Sequence, residues 1–246
     1  MPNNLFFRGS LAERVIPGKS KRSDFPLIPS RCALLIVDIQ AYLSEPSDGE
    51  DEKSYIFNHA LPHAVSNIEK LLEKFRSLRD SEYQHGCEVL FTYLESLTND
   101  CRDVSLDYKL SGPKLASLPN SVTAPAAFLL NIEPSSQGRG DIRIPKTSCS
   151  VFQSTNINYV LRNLHVEQLV VVGQLTDQCV ESAVRDAADL GYFVTVVADA
   201  CAATSVVSHE KGLAGMDGFC RILSTYDVLM ELSNKFRMED LETIPP

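Results

Sequence analysis

The sequence predicts an α/β fold in which helices cover both faces of a doubly wound, mostly parallel sheet. Short, continuous apolar runs, such as residues 32–37 and 169–172, are typical of strands buried on both faces. Between these runs lie segments whose apolar residues recur at helical spacing, and strands that alternate with helices indicate right-handed βαβ units. We therefore expect a Rossmann-like sandwich of three layers.

The first half of the chain begins irregularly and then alternates between strand and helix. Residues 1–30 carry scattered Pro, Gly and Ser without periodicity, so we expect an N-terminal arm followed by one domain over residues 31–246. The elements predicted next are a strand over 32–38, an exposed acidic loop over 44–53, a helix over 63–79, a strand over 87–93, and loops with a short helix over 94–139.

The second half alternates more regularly. Its predicted elements are a strand over 141–144 that ends at Pro145 and Lys146, a helix over 155–164, a strand over 169–172, a helix to about Leu190, a strand over 193–198, a helix over 208–216, an edge strand over 220–223 and a final helix over 226–236.

Composition excludes several classes of protein. The formal net charge of −9 disfavours a nucleic-acid binder, because neutralising phosphates requires a basic surface. No apolar run reaches the roughly 18 residues that span a bilayer, and the first residues lack the apolar core of a secretion signal. The seven cysteines match no secreted disulfide framework. We expect a cytoplasmic protein without membrane or nucleic-acid partners.

Three reactive side chains fall at the carboxyl ends of predicted strands. Asp38 ends the first strand, Lys146 follows the 141–144 strand, and Cys179 follows the 169–172 strand. Ligands of parallel α/β sheets bind beyond these strand ends, so the architecture predicts that the three side chains meet.

The three groups form a coherent chemistry. Cys179 is placed in the first turn of a helix, where unpaired N–H groups favour a thiolate. A carboxylate such as Asp38 can accept the thiol proton, and the ammonium of Lys146 would stabilise both anions. The amide of Cys179 and a second amide from the turn over 173–176 could stabilise a developing oxyanion.

Three motifs carry a resemblance to a known family. Leu35-Ile-Val-Asp38-Ile-Gln40, Pro145-Lys146-Thr and Gly173-Gln-Leu-Thr-Asp-Gln-Cys179-Val resemble, in this order, the isochorismatase-like cysteine hydrolases. That superfamily includes nicotinamidases, N-carbamoylsarcosine and ureidoacrylate amidohydrolases, and isochorismatases. The resemblance implies Asp38 as general base, Lys146 as its electrostatic partner and Cys179 as nucleophile. It also implies an oxyanion hole from the N–H groups of Leu175 and Cys179, and a cis peptide between Gln174 and Leu175.

Departures from family patterns narrow the expected activity. Many nicotinamidases bind a metal through an Asp-x-His element, which this sequence lacks, and Pro62 lies between His59 and His63. We therefore predict no metal site and no organic cofactor. Several true isochorismatases carry Gly in place of the cysteine, so the retained Cys179 favours cleavage of a C–N bond in a small amide or ureide through a thioester. Vinyl-ether hydrolysis of isochorismate, with Asp38 as acid, is one alternative, and a non-catalytic scaffold or regulatory protein is the other.

Further residues are predicted to border the substrate. Glu95 leaves the carboxyl end of a strand and is placed to accept hydrogen bonds from substrate N–H groups, and Gln40 and Phe152 are additional pocket candidates. Cys149, three residues after Lys146, is interpreted as structural. Because parallel sheets of this type often pair through exposed helices, we also expect a homo-oligomer.

Overall fold

The computed structural model describes residues 9–40, 55–81, 86–111, 118–123, 125–129 and 131–233. Within them, six strands form one sheet: β1 (Cys32–Val37), β2 (Glu88–Leu94), β3 (Ile142–Lys146), β4 (Gln168–Gln174), β5 (Phe193–Ala202) and β6 (Arg221–Leu223). The strand order is β3-β2-β1-β4-β5-β6, and each neighbouring pair is parallel. The predicted α/β fold is confirmed.

The strand order places a crevice between β1 and β4. The chain builds outward from β1 through β2 to β3, then returns to the other side of β1 with β4. Ligands bind outside the carboxyl ends of the strands at such a reversal of strand order. Asp38 directly follows β1, and Cys179 lies just beyond the end of β4. The topology therefore places both residues at this crevice.

Helices cover the sheet. They are α1 (Leu61–Ser81), α2 (Leu106–Leu110), α3 (Val151–Ser154), α4 (Ile157–Asn163), α5 (Glu181–Asp189), α6 (Val206–Met216) and α7 (Thr225–Ser233). One π-helical turn, Ile56–Ala60, leads into α1, and another, Thr176–Val180, leads into α5. The acidic loop over 44–53 and the end of the final helix beyond Ser233 lie outside the described residues.

The helix predicted over 155–164 is confirmed as α4, which begins two residues later, and α3, a short helix that was not predicted, precedes it. Thr155 separates the two helices, because it has an extended backbone (φ −138°). Its hydroxyl donates to the Val151 carbonyl at 2.7 Å and accepts from the Ile157 N–H at 3.1 Å. Threonine thus ends one helix and caps the next, which helical periodicity alone does not reveal.

The core has two halves, one on each face of the sheet. Leu34 and Ile36 of β1 pack with the apolar faces of α1 and α7. Ala33, Leu35 and Val37 of β1 pack with α4, α5 and Met216 on the other face. Successive side chains of a strand point to opposite faces, so a wholly apolar β1 supplies both halves.

The described part of the N-terminal arm packs against the amino ends of β4 and β5. Leu11 and Ile28 are buried, and the Glu167 carboxylate accepts hydrogen bonds from the Ser10 hydroxyl and the Leu11 N–H at 2.7 and 2.6 Å. The Gln168 side chain accepts from the Ile28 N–H at 2.7 Å. Among the described residues, no helix combines the length and apolarity that crossing a membrane requires.

Candidate active site

Asp38, Lys146 and Cys179 meet at the crevice beside β1. Nζ of Lys146 lies 2.8 Å from Oδ2 of Asp38 and donates a hydrogen bond to Sγ of Cys179 at 3.2 Å. Asp38 and Lys146 are each 1% exposed, and Cys179 is 6% exposed. One ammonium therefore bridges a carboxylate and a sulfur that are remote in the chain, as the positions of these residues at strand ends predicted.

The two carboxylate oxygens of Asp38 have different surroundings. Oδ1 accepts a hydrogen bond from the Thr92 hydroxyl at 2.9 Å. Oδ2 faces Lys146 and accepts no hydrogen bond of regular geometry from the described residues. The backbone is also held, because the Asp38 carbonyl accepts from the Gln174 side chain at 2.9 Å. Oδ1 is thus held by a hydrogen bond, and Oδ2 remains able to accept a proton.

Lys146 is held as an ammonium. Besides Asp38 and Cys179, its Nζ donates to the carbonyls of Ser148 and Cys149, both at 2.9 Å. Burial alone would lower the pKa of Lys146, but the charge of Asp38 and the Cys179 sulfur raise it above its usual value. Lys146 therefore stays charged at neutral pH and supplies a fixed positive charge inside the site.

A tight connection between β4 and α5 positions Cys179. Gly173 has a φ of 124°, and a Cβ at this position would lie 2.1 Å from the Val37 carbonyl, so only glycine lets β4 approach β1 this closely. The Gln174–Leu175 peptide is cis, as the resemblance implied. The Leu175 carbonyl then accepts from the amides of Gln178 and Val180 at 3.0 and 3.2 Å. Cys179 consequently lies in the first turns of the helical segment that continues into α5.

A second thiol lies beside the first. Sγ of Cys149 is 3.9 Å from Sγ of Cys179 and 3.3 Å from the Ser182 hydroxyl. The hydrogen bond with Cys149 and burial raise the pKa of Cys179 well above its usual value, although Lys146 opposes them. The hydrogen bond with Cys179, aided by Ser182 and Lys146, lowers the pKa of Cys149 to about 6. Cys179 therefore rests as a thiol, and it needs a base to become a nucleophile.

Gln40 forms hydrogen bonds with the end of β2. Its amide oxygen accepts from the Leu94 N–H at 2.7 Å, and its amide nitrogen donates to the Leu94 carbonyl at 3.0 Å. Gln40 is fully buried. Its assignment as a substrate contact stays a prediction, and the observed contacts give it a role in positioning the end of β2.

Glu95 and Phe152 also make contacts within the protein. Oε2 of Glu95 accepts from the Ala126 N–H at 2.7 Å, which ties the end of β2 to the 125–129 segment. The Phe152 ring packs against Tyr192, with the ring centroids 6.1 Å apart. Their roles as substrate contacts likewise stay predictions.

Sequence reasoning missed Thr92 and the proximity of Cys149. Thr92 is a polar residue in a strand that is otherwise largely apolar, and the β1–β2 register pairs it with Val37, next to Asp38. A polar side chain in a buried strand is a usable signal, because buried hydroxyls need hydrogen-bond partners. The spacing of three residues between Lys146 and Cys149 was visible, but not the direction of the Cys149 side chain.

His59 and His63 line a cleft that His209 also borders. Within the described ranges, no group of three or more His, Cys, Asp or Glu side chains is arranged to hold a metal ion.

Comparison with known proteins places the chain in a family. The family model of the isochorismatase domain matches residues 32–227. The chain belongs to the isochorismatase family. The resemblance predicted from the three motifs is thereby confirmed, and the protein is an isochorismatase-family hydrolase.

Related sequences and structures agree with this assignment. The chain is 31% identical over 220 residues to a ureidoacrylate amidohydrolase RutB from Agrobacterium fabrum, across 80% of this chain and 92% of the relative. It is also 31% identical over 185 residues to the protein of that name from Rhizobium rhizogenes, across 71% of each.

Solved structures share the fold. A cysteine hydrolase from Pseudomonas syringae pv. phaseolicola superposes with a TM-score of 0.70 at 23% identity, covering 85% of this chain and 95% of the other. An isochorismatase family protein from Desulfovibrio vulgaris superposes with a TM-score of 0.65 at 25% identity, covering 82% and 99%.

Proposed function

We propose that this isochorismatase-family hydrolase cleaves a C–N bond of a small amide or ureide through a thioester on Cys179. The observation that carries the proposal is the ammonium of Lys146, which contacts both Oδ2 of Asp38 and Sγ of Cys179, and all three side chains are buried. A carboxylate, a fixed cation and a thiol in contact are the parts that thiol activation requires.

Each group has a defined step in the proposed reaction. Oδ2 of Asp38 accepts the Cys179 proton as the sulfur attacks the substrate carbonyl, and the N–H groups of Leu175 and Cys179 donate to the oxyanion. Asp38 then gives its proton to the leaving nitrogen, which leaves a thioester on Cys179. Asp38 next deprotonates a water molecule that attacks this thioester, and the thiol regains its proton. Lys146 stays charged throughout.

The choice of an amide or ureide rests on two supports. The first is Cys179 itself, because a nucleophilic thiol suits acyl transfer. The second is the sequence similarity to proteins named ureidoacrylate amidohydrolases, which extends over most of both chains. Glu95 is the proposed acceptor for substrate N–H groups, with Gln40 and Phe152 as further proposed pocket residues. No metal or organic cofactor is proposed.

Vinyl-ether hydrolysis of isochorismate is the alternative reaction. It would use Asp38 as an acid and leave Cys179 without a chemical role. The contact between Lys146 and Cys179 disfavours this reaction, since it holds the sulfur against the other two groups. A scaffold role is disfavoured because the three side chains are assembled in contact.

A substrate screen tests the proposal. Purified protein should release ammonia from at least one member of a panel of small amides and ureides, leave isochorismate unchanged, and keep its activity after treatment with a chelator. Turnover of isochorismate without ammonia release would replace the proposed reaction by vinyl-ether cleavage. Loss of activity in the chelator, restored by added metal, would contradict the absence of a metal.

We also propose that the protein forms a homo-oligomer. Support comes from exposed apolar side chains on the edge strand β6 and on α7, namely Ile222, Tyr226 and Met230. Light scattering should give a multiple of the 27.2 kDa chain mass. The mass of a single chain would contradict this proposal.

A further inference from the structure

The cysteine beside the nucleophile lies within reach of it. Sγ of Cys149 and Sγ of Cys179 are 3.9 Å apart, so a disulfide, with sulfurs about 2 Å apart, requires them to approach by about 2 Å. Cys149 lies in the short connection between β3 and α3, outside either element, and is partly exposed. A loop residue can make this approach with little disturbance of the sheet.

The surroundings of Cys149 favour a reactive sulfur. The hydrogen bond with Cys179, the Ser182 hydroxyl and the charge of Lys146 lower the pKa of Cys149 to about 6, although burial opposes them. This environment favours the thiolate form of Cys149. Thiolates, rather than thiols, are oxidised by peroxides.

The other five cysteines lack this combination, and all of them lie within the described residues. Cys32 and Cys87 also neighbour each other, but both are completely buried, and each donates its thiol hydrogen to the Pro29 carbonyl. Burial raises the pKa of Cys201 to about 12 and that of Cys220 to about 11. Cys101, which is partly exposed, lies in the 98–104 loop after β2.

We propose that Cys149 is a site of reversible oxidation, where a peroxide converts Cys149 and Cys179 into a disulfide that switches the enzyme off. The Cys149 thiolate attacks one peroxide oxygen, which gives a sulfenic acid and, from hydrogen peroxide, hydroxide. The sulfur of Cys179 then attacks the sulfenic sulfur, which forms the S–S bond and releases water. Two thiols lose two electrons and two protons, and one hydrogen peroxide becomes two waters.

The disulfide also keeps the oxidation reversible. Without a second thiol nearby, oxidation of Cys149 would continue to a sulfinic acid, which thiol reductants do not reverse. Capture by Cys179 stops the oxidation at a bond that a dithiol can reduce. The disulfide does not depend on the substrate, whereas the loss of activity rests on the proposed role of Cys179.

Peptide mapping of the wild-type protein tests the disulfide directly. Cleavage after Lys146, Arg162 and Arg185 gives the tryptic peptides 147–162 and 163–185, whose only cysteines are Cys149 and Cys179. After treatment with hydrogen peroxide and blocking of free thiols, the two peptides should appear linked, and dithiothreitol should separate them. A Cys179 peptide that carries added oxygens without any link, or that is linked to another cysteine, would overturn the proposal.

Recovery of activity gives a second test. Each protein is compared with its own untreated activity, after peroxide and then after dithiothreitol. The wild type and the control Cys101→Ser should lose activity in peroxide and recover most of it in dithiothreitol, whereas Cys149→Ser lacks the sulfur that reacts first and should keep most of its activity at the same dose. Equal loss and recovery of activity by Cys149→Ser would overturn the proposal. A cross-link without loss of activity would leave the disulfide standing and would instead contradict the catalytic role of Cys179.

Discussion

At the scale of the residue, Thr92 determines which oxygen of Asp38 is free to react. Its hydroxyl donates to Oδ1 at 2.9 Å, and Oδ2 is left facing Lys146 without a regular hydrogen bond. Asp38 has a φ of 54°, a left-handed backbone conformation that residues other than glycine adopt only at a cost in free energy. A hydrogen bond to each side of this residue, from Thr92 to its carboxylate and from Gln174 to its carbonyl, therefore holds a conformation that the chain does not prefer.

We expect Thr92→Val to lower kcat with little change in KM. A hydrogen bond to a charged group contributes about 1.5–3 kcal/mol, so the loss should be about 10- to 100-fold. Thr92→Ser keeps the hydroxyl that donates to Oδ1 and should restore kcat. An equal fall in kcat for Thr92→Ser and Thr92→Val would mean that Thr92 acts only through packing.

The sequence predicted the site residues at the ends of strands, but it did not predict the contacts between side chains of neighbouring strands. Asp38, Lys146 and Cys179 could be predicted because the carboxyl ends of parallel strands share one edge. The Thr92 contact depends on the register between β1 and β2, which the sequence does not specify. Gln40 was expected to face substrate, but its amide is occupied by Leu94, a contact that requires knowing how the chain turns after β1.

At the scale of the element, α6 supports the turn that carries the nucleophile. A Cβ on Gly212 would lie 2.8 Å from backbone atoms of Thr176 and Asp177. These are the first residues of the π-helical turn that contains Cys179. Because a real Cβ does not approach backbone atoms this closely, α6 can pack here only through a glycine.

Gly212→Ala should therefore destabilise the protein by about 1–3 kcal/mol, since the backbone on both sides must shift. It should also lower kcat, because the displaced turn carries Cys179. Gly215→Ala on the same helix is a matched control. Its Cβ would meet only the flexible end of Glu181, and alanine favours a helix by about 1 kcal/mol.

Thermal unfolding and kcat of both variants check this prediction. Equal stability and activity of Gly212→Ala and Gly215→Ala would contradict the supporting role of α6.

The elements themselves were largely predictable, and their exceptions have local causes. β1 is a continuous apolar run, and the apolar face of α1 repeats with the period of a helix. The bounds of both elements were therefore predicted to within two residues. The short helix α3 was missed because its four residues are too few for a periodic pattern, and the Thr155 hydroxyl ends it. The π-helical turn at Thr176–Val180 has no periodic signal, since a five-residue turn is shorter than the pattern that would reveal it.

At the scale of the whole molecule, the fold places remote groups in contact. Lys146 ends β3, which is separated from β1 by β2, so its side chain must cross the end of β2 to reach Asp38. Parallel pairing with matched strand ends makes this possible, because β2 and β3 finish together at Leu94 and Lys146. The site thus depends on the register of four strands, and a shift in any one of them would separate the three groups.

The catalytic role of Cys179 is tested by kcat/KM of Cys179→Ala on the best substrate from the amide and ureide panel, beside Cys101→Ala as a control. We expect a loss of about 10³-fold or more for Cys179→Ala, since removing a single member of such a catalytic unit costs this much or more. Cys101→Ala should stay near the wild-type value. Turnover by Cys179→Ala within a few-fold of wild type would contradict a nucleophilic Cys179, because the reaction would then proceed without the sulfur.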